Sequence, residues 1–339
     1  MSLGKRGGMR SIGAGILLGI LALLQPLAAL AARQDYHFRV IDSRSGLAQN
    51  TVNALLQDSR GFVWIATEGG LHRHDGRHLR LFLHDPDDAS SLPETFITAL
   101  AEDEHGRLWV GTNTRFLASI DLASGRVERH LLARSEGGKG HRDRVTGLLN
   151  QPGVGLWVST GQGIELFDPE TGLRERRLSF EGDIEGSLRL AGLSLLDDGS
   201  VLAATHEGLF VFAPGATLPR RVGARKRLHA LLNDGGDGVW IGAEDGLFRW
   251  RRGDREPQRI WPLEGRSAPV RSLALDARQR LWLALHNGGL LRLDPLSGET
   301  LALRHEPDVG NSLHEDRLAR LMIDRSGLLW IGGEARGVA

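Results

Sequence analysis

The sequence has no cysteine among its 339 residues, which excludes disulfides, thiolate metal sites and a cysteine nucleophile. It also has no net charge, because 42 basic side chains balance 42 acidic ones, and no basic patch stands out. We therefore expect no nucleic-acid partner. Outside the N-terminus there is no apolar pattern of helical length, and this leaves short strands as the predicted elements.

Motifs of the common catalytic and metal sites are also missing. The chain has no Gly-x-Ser-x-Gly elbow, no His-Glu-x-x-His pair, no phosphate-binding Walker loop and no EF-hand calcium loop. We therefore predict no catalytic residue, no metal site and no cofactor.

A seven-residue phrase recurs along the chain, and it is clearest in Asp58-Ser-Arg-Gly-Phe-Val-Trp64 and in Asp324-Arg-Ser-Gly-Leu-Leu-Trp330. Its last residue is an anchor that is tryptophan in every copy except the fourth. The seven anchors are Trp64, Trp109, Trp157, Leu202, Trp240, Trp282 and Trp330. They recur at a period of roughly 40–50 residues, which is typical of propeller and solenoid repeats.

Each anchor lies in a unit of four short apolar stretches that are separated by turn residues. In the first unit these stretches are residues 51–56, 64–67, 70–75 and 78–82, with an Asp-x-x-Gly turn before the anchor. Four short strands without a helix are typical of one propeller blade. We therefore predict an all-β fold over residues 33–339, a seven-bladed β-propeller of four-stranded antiparallel blades.

The residue two places after each anchor is always small, and the period of a strand places it on the same face as the anchor side chain. These residues are Ala66, Gly111, Ser159, Ala204, Gly242, Ala284 and Gly332. We infer that this face packs against the neighbouring blade. The tryptophans could instead stack on a ligand, but so regular a set on the central strands favours the core. In the sixth copy, Gln279 stands where the turn glycine is expected.

The N-terminus differs in kind from the repeats. Basic residues at positions 5, 6 and 10 precede an apolar run over residues 12–32 that ends in the small-x-small pattern Ala29-Leu-Ala31. This order predicts a secretory signal peptide over residues 1–32. The alternative is an uncleaved membrane anchor, because the run is near the minimum length for spanning a bilayer. In either case we expect the propeller outside the cytoplasm.

The segment Tyr36-His-Phe-Arg-Val-Ile41 lies where a fourth strand would precede an innermost strand. We predict that it supplies the outer strand of the seventh blade, which is otherwise truncated in its third strand. Joining the two ends of the chain in this way would remove exposed sheet edges.

The repeat resembles the two-component regulator propeller repeat, whose pattern is Asp-x-x-Gly-x-[Leu/Val]-Trp-[Ile/Val]-Gly-Thr followed by Gly-Leu. The best copies are residues 52–76, 98–123 and 318–338. The linking phrases Pro86-Asp-Asp-Ala-Ser-Ser-Leu92 and Pro307-Asp-Val-Gly-Asn-Ser-Leu313 are also similar to that family. The resemblance covers the whole predicted exported part of the chain.

Members of this family are commonly long bacterial receptors with a periplasmic propeller region and a cytoplasmic histidine kinase or diguanylate cyclase. The resemblance therefore implies the ligand-sensing input domain of such a receptor, present here as a truncated fragment and located in the periplasm. The implied partners are a small-molecule or oligosaccharide ligand, the downstream domains of the same receptor, and a second copy in a homodimer. The alternatives are a stand-alone periplasmic enzyme, such as a lyase or glycan-processing protein, and a protein-binding scaffold.

In a propeller, the turns between second and third strands gather around the axis on one face. Here those turns hold polar side chains of both charge signs, which would suit a hydroxyl-rich ligand. The candidate ligand-binding residues are Glu68, Asn113, Arg115, Gln162, His206, Glu244, Asp245, His286, Asn287, Glu334 and Arg336. Because any surface loop is polar, that simpler explanation accounts for most of the list.

Three histidines in the first repeat, at positions 72, 74 and 78, raise the question of a metal cluster. Residues 72 and 74 would share a strand face, but 78 falls beyond the Asp75-Gly76 turn. With 13 histidines in the chain, such a coincidence is common, so solvated strand histidines are the favoured interpretation.

Overall fold

A computed structural model describes residues 36–132, 144–161, 163–172, 174–178, 190–216, 218–262 and 267–339. The predicted signal peptide, residues 1–32, lies outside the described residues, and so does Gln162. In the part that the structure describes, no helix is long and apolar enough to cross a membrane.

The described chain is built from strands and one short 3-10 helix, Ser43–Ser45. Blade one comprises β1 Val52–Gln57, β2 Val63–Thr67, β3 Gly70–His74 and β4 Leu79–Phe82. Blade two comprises β5 Ile97–Glu102, β6 Arg107–Thr112, β7 Phe116–Asp121 and β8 Val127–Leu131. Blade three comprises β9 Val145–Gln151, β10 Gly155–Thr160, β11 Gly163–Phe167 and β12 Arg174–Leu178.

The second half of the chain continues in the same order. Blade four comprises β13 Leu190–Leu195, β14 Val201–Thr205, β15 Gly208–Phe212 and β16 Arg220–Val222. Blade five comprises β17 Leu228–Asn233, β18 Gly238–Ala243, β19 Gly246–Arg251 and β20 Gln258–Trp261. Blade six comprises β21 Val270–Leu275, β22 Leu281–Leu285, β23 Gly289–Leu293 and β24 Thr300–Leu303. A last sheet pairs β25 Leu318–Ile323 with β26 Leu329–Gly333.

The sheets form a ring in which the first strand of each sheet is innermost. Within each blade, consecutive strands pair antiparallel in chain order. The first strands contact one another in a closed cycle that runs from β1 through β5, β9, β13, β17, β21 and β25 back to β1. This arrangement is a β-propeller, so the predicted all-β propeller fold is confirmed.

The spacing of the repeated phrase follows from one carboxylate that bonds at both of its oxygens. Asp58 Oδ1 accepts the backbone amides of Arg60 and Phe62 at 3.0 and 2.9 Å, which closes the turn. Its Oδ2 accepts the indole Nε1–H of Trp64 at 2.7 Å, and Trp64 is buried. The aspartate must therefore lie six residues before the tryptophan. The same indole bond joins Trp109 to Asp103 at 2.8 Å, Trp282 to Asp276 at 3.4 Å and Trp330 to Asp324 at 2.9 Å.

The small residues after the anchors lie where adjacent blades meet. A β-carbon added to Gly111 would lie 2.6 Å from Cγ1 of Val145, the first residue of the next innermost strand, and Gly332 stands in the same relation to Val52. Apolar clusters fill these interfaces, and one of them joins Trp330 to Val52 and Ile65 of blade one. The interface between the seventh sheet and blade one thus has the same kind of packing as the interfaces between the other adjacent blades.

The seventh sheet corrects the predicted blade count. Six sheets are complete four-stranded blades, whereas the last has only the two strands β25 and β26, so the prediction of seven four-stranded blades was wrong. After β26, residues 337–339 extend the sheet by backbone bonds between Ile331 and Ala339 at 2.7 and 2.9 Å. This extension is too short to count as a third strand, so a fourth strand would find few backbone groups to pair with.

Of the segment 36–41, only Ile41 pairs with this sheet, through two backbone hydrogen bonds to Val338 at 2.7 and 2.9 Å. The start of the segment packs through its side chains instead, on a cluster shared by blade six and the seventh sheet. The ring of Tyr36 meets that of Trp282 edge-on at 5.7 Å, and its hydroxyl accepts a bond from Arg292 at 2.5 Å. The side-chain contacts of Tyr36 thus direct this part of the chain away from a continuous strand pairing.

Two local features differ between repeats. Gln279 adopts φ of 61°, the left-handed conformation that its counterpart Gly327 adopts at 86°, so the sixth turn keeps its shape without glycine. His72 is fully buried, which corrects the expectation of a solvated side chain. Its Nε2 accepts the amide of Ala48 at 2.9 Å, so this ring nitrogen is satisfied in the core. Burial lowers the pKa of His72 from 6.5 to about 4.

Candidate functional site

One end of the ring collects the turns between second and third strands together with the connections that enter the innermost strands. In four sheets the first residue of the turn donates its amide to the carbonyl just before the innermost strand, at 2.9–3.0 Å. These bonds run from Asn113 to Phe96, Glu244 to Arg227, His286 to Pro269 and Glu334 to Arg317. We call this end the mouth: the second-to-third turns and the first three residues of each innermost strand.

Every innermost strand has an irregularity in its pairing at its second residue. The residues left out of register are Asn53, Thr98, Thr146, Ala191, His229, Arg271 and Ala319. All of them are partly exposed, whereas the residues before them are buried. A bulge re-aims a side chain, and here it repeats around the axis at the mouth.

One group of titratable side chains at the mouth surrounds His229. Its Nε2 lies 2.7 Å from Oε2 of Glu244, and its Nδ1 lies 3.4 Å from Nη1 of Arg271. Since a guanidinium only donates, Nδ1 is assigned as the acceptor and Nε2–H as the donor to the carboxylate. The imidazole of His206 lies 6.0 Å from that of His229, in an edge-on arrangement.

The electrostatics of this group agree with that assignment. Burial lowers the pKa of His229 below its ordinary value. The hydrogen bond to Glu244 raises this pKa, and the positive charge of Arg271 lowers it further. The hydrogen bond from His229 lowers the pKa of Glu244. Only 6% of the His229 side chain is exposed, against 51% for Glu244. At neutral pH the group therefore consists of a neutral imidazole held between a carboxylate and a guanidinium.

The predicted site residues are only partly brought together. Glu244 and His206 meet at His229, whereas Asp245 forms ion pairs with Lys226 at 2.8 Å and Arg259 at 2.5 Å. The remaining described candidates of blades one, two and six lie on the turns of their own blades: Glu68, Asn113, Arg115, His286 and Asn287. The list thus contains separate local clusters rather than a continuous lining.

A second local cluster involves the two candidates of the seventh sheet. Glu334 pairs with Arg317 at 2.5 Å, and Arg336 Nη1 lies 3.3 Å from Nε2 of His305. The amide of Arg336 donates to Oε1 of the buried Glu315 at 2.6 Å. These contacts hold the last turn in place, so both candidate side chains have structural partners.

Sequence reasoning missed His229, Arg271 and Arg320, which lie on innermost strands rather than on turns. One signal was present at Arg320. Across the seven copies, the innermost-strand residue that pairs with the small residue after the anchor is Ala54, Ala99, Gly147, Gly192, Ala230, Ser272 and Arg320. An arginine in a series of small residues marks a position where packing alone does not explain the side chain.

The described residues contain no group of three or more histidines or carboxylates arranged to hold a metal ion. The histidines at positions 72 and 78 have separate environments: the first is buried, and the second lies 3.4 Å from Asp75 on the surface.

Comparison with known proteins bears on the repeat and on the fold. The family model described as "Two component regulator propeller" matches residues 46–69 and 91–114. A segment of 83 residues is 29% identical to "Histidine kinase P4" of Formosa agariphila; it makes up 24% of this chain and 6% of that protein. The match to the kinase therefore concerns a small part of its length.

Solved structures with the same fold include two bacterial extracellular domains from B. thetaiotaomicron. The domain of BT3049, described as a hybrid two-component system, is 21% identical with a TM-score of 0.75. That of BT4673, described as a one-component system, is 20% identical with a TM-score of 0.72. Each alignment covers 89% of this chain, which spans only 41% and 39% of those two domains.

A streptogramin B lyase also shares the fold, at 12% identity and a TM-score of 0.66 over 89% of this chain and 96% of that one. At such identities, similarity of structure shows the fold alone. The family match, by contrast, identifies the repeat. The chain is thus a β-propeller in which residues 46–69 and 91–114 match the two-component regulator propeller repeat that the sequence predicted, and its fold is similar to the extracellular domain of a hybrid two-component system.

Proposed function

We propose that this chain is the extracytoplasmic input domain of a bacterial signalling receptor of the histidine kinase or diguanylate cyclase type. The observation behind this proposal is the two-component regulator propeller repeat, together with similarity to extracellular domains of two-component systems. In this role the propeller binds a small-molecule or oligosaccharide ligand and transmits binding to downstream domains of the same receptor. A homodimer is the expected signalling form, and the N-terminal signal would direct the domain to the periplasm.

The mouth is the ligand site in this proposal. Propellers present variable side chains on a rigid ring, and loops positioned by a rigid scaffold commonly hold binding residues. At the mouth, the bulge position that His229 occupies in blade five holds hydroxyl or amide side chains in blades one, two and three, namely Asn53, Thr98 and Thr146. Such a lining supports recognition of a hydroxyl-rich ligand, with a few charged groups to orient it.

The proposal is tested by measuring binding and turnover on one sample of the full chain. A panel of oligosaccharides and small metabolites is screened by thermal shift, hits are titrated by calorimetry, and each mixture is then analysed by mass spectrometry. We expect binding without chemical change, and a Glu244→Gln variant should weaken it. Arg220→Gln, on the exposed outer strand of blade four, is the matched control and should bind normally. Turnover of a hit would contradict an input role.

The gene gives an independent test. We expect the reading frame downstream of codon 339 to encode a transmembrane segment and a kinase or cyclase domain. A stop codon directly after it would remove the output that the proposal requires.

A propeller enzyme is the second candidate, and one observation favours it. The neutral His229 with its bond to Glu244 could act as a general base at Nδ1 once a substrate displaces Arg271 from that nitrogen, because the carboxylate would orient the ring and stabilise its protonated form. A lyase that removes a proton from its substrate would need such a pair. If the panel reveals a substrate, His229→Gln should abolish turnover while Arg220→Gln retains it.

A further inference from the structure

The charged side chains of the innermost strands are few and unevenly placed. Among the described innermost strands, the ionised residues are Glu102, Arg271 and Arg320. Glu102 is the last residue of β5, at the end away from the mouth, and accepts the amide of Ser59 at 2.7 Å. The mouth end of these strands therefore holds two guanidinium groups and no carboxylate.

The two arginines lie on adjacent innermost strands at a point of direct contact. Ser272 Oγ, next to Arg271, accepts the amide of Leu321, next to Arg320, at 3.0 Å. Desolvation lowers the pKa of Arg320, and the charge of Arg271 lowers it further. Arg320 is nevertheless exposed to solvent. The pair thus lies at the mouth end of two adjacent innermost strands, where solvent reaches Arg320.

In the described structure, neighbouring residues satisfy only part of the hydrogen-bond donors of each guanidinium and do not neutralise its charge. Nε of Arg271 is buried and has no hydrogen-bond partner among the described residues, and its Nη1 meets only the imidazole of His229. Arg320 donates Nε to the carbonyl of Asn53 at 2.6 Å and Nη1 to that of Ala319 at 2.9 Å. These are carbonyl partners and leave the positive charge unneutralised. An unpaired buried donor costs free energy unless a ligand satisfies it.

We propose that Arg271 and Arg320 form an oxyanion-binding site at the mouth, which takes a carboxylate, sulfate or phosphoryl group on a small polar ligand. This inference rests on the proposed ligand-input function for its biological meaning, but the site itself can be tested without signalling. Guanidinium groups bind such oxyanions through paired, charge-assisted hydrogen bonds. Glu244, the nearby carboxylate, bonds to His229 rather than to either guanidinium, although the charge of Arg271 acts on it.

The simpler explanation is that Arg320 only fastens the seventh sheet to blade one through Asn53. That role accounts for the bond from its Nε, but not for the charge of Arg271 beside it. It also predicts a loss of stability alone when Arg320 is replaced. The experiment must therefore measure anion binding and stability separately.

Calorimetric titration of the full chain at low ionic strength and pH 7 provides the test. The probes are sodium sulfate, sodium phosphate and sodium glucuronate, with glucose as the neutral counterpart of glucuronate. We expect saturable binding of at least one anion and weaker binding as salt is added. Binding of an inorganic ion would indicate a site for the free oxyanion, whereas binding of glucuronate alone would indicate a sugar-borne carboxylate.

Arg320→Ala is the first variant, because alanine, glycine or serine occupies this position in the other six sheets and fits the fold. Arg271→Gln is the second, and Arg220→Gln is the control outside the mouth. Losing one charged donor should weaken anion binding roughly tenfold or more. A thermal melt of each variant verifies folding.

Two results would overturn the site: no binding of any of the three anions, or binding that Arg320→Ala and Arg271→Gln leave within twofold of the wild type. A neutral ligand from the panel that still binds both variants would leave the input function standing without the oxyanion site. Absence of any ligand for the mouth, charged or neutral, would instead contradict the input function as well.

Discussion

Asp58 in the first repeat offers a direct test of why the repeated phrase has its spacing. Replacing it with alanine removes the acceptor of three hydrogen bonds, two from backbone amides of the turn and one from the indole of Trp64. The turn amides are near solvent and can bond to water. The indole Nε1–H cannot, because Trp64 is 1% exposed.

The expected loss follows from these three bonds. A hydrogen bond to a charged group contributes about 1.5–3 kcal/mol, and a buried donor left unpaired costs about 1–3 kcal/mol. With the turn amides rehydrated, we expect Asp58→Ala to lower the free energy of unfolding by about 3 kcal/mol. Asp58→Asn should cost less, because its amide oxygen can still accept the turn amides while its NH₂ group cannot accept the indole.

The fourth repeat provides a control for the turn bonds alone. Leu196 holds the position of Asp58 there, and Asp198, four residues before the anchor, accepts the amide of Ser200 at 2.9 Å, while the anchor Leu202 has no side-chain N–H. Asp198→Ala should therefore cost only about 1 kcal/mol. Urea unfolding followed by tryptophan fluorescence measures both variants. Equal losses, within about 0.5 kcal/mol, would show that the indole bond does not explain the spacing.

Further substitutions test the ring closure, one turn and the pH dependence of stability. Gly337→Ala should destabilise the fold by at least about 2 kcal/mol more than Gly327→Ala. Both glycines have φ near 85°, but only at Gly337 would the added β-carbon meet the carbonyl of Ile41. Equal losses in thermal unfolding would argue against a closed ring. Gln279→Gly should raise stability by up to about 1 kcal/mol, because it relieves a left-handed non-glycine residue, and a decrease in urea midpoint would contradict this. Burial lowers the pKa of His72 from 6.5 to about 4, so its neutral ring stabilises the fold above pH 6.5, and about 3 kcal/mol should be lost as pH falls from 6.5 toward 4. Unfolding midpoints across this range should fall less in His72→Gln than in the wild type, and parallel pH profiles would exclude His72 as the cause.

The fold was predictable because its signal is local and repeated. Asp58 and Trp64 are six residues apart, and the turn, the anchor and the small residue after it all lie within one short segment. Such a phrase needs no knowledge of distant residues. Seven copies in sequence, each with four short strands, then favour a propeller, because each sheet can bury its anchor face only against a neighbour.

The last sheet was predicted less well for the opposite reason. Its completion depends on how residues 337–339 and the segment 36–41 meet, and these lie at opposite ends of the described chain. The place of the segment before an innermost strand predicted a fourth strand there, but only Ile41 pairs with the sheet, and Tyr36 contacts Trp282 of blade six. Contacts between distant residues thus decided what the repeat pattern did not.

The candidate site shows the same division. The sequence indicated Glu244 and His206 as candidate site residues, because their positions in the repeat assign them to turns between second and third strands. It did not indicate that His229 joins them, since a histidine on an innermost strand could equally belong to the core. Arg320 and Asn53, which bond across the seam of the ring, are 267 residues apart.

By itself, then, the sequence determined the repeat, the propeller and the end of the ring where polar turns collect, because these depend on interactions within single blades. Only the tertiary structure decided that the last sheet has two strands and that Arg271 and Arg320 lie on adjacent innermost strands with no carboxylate bonded to either among the described residues. Those features depend on which side chains the closed ring brings to its axis, and that arrangement exists only once all the sheets have assembled around it.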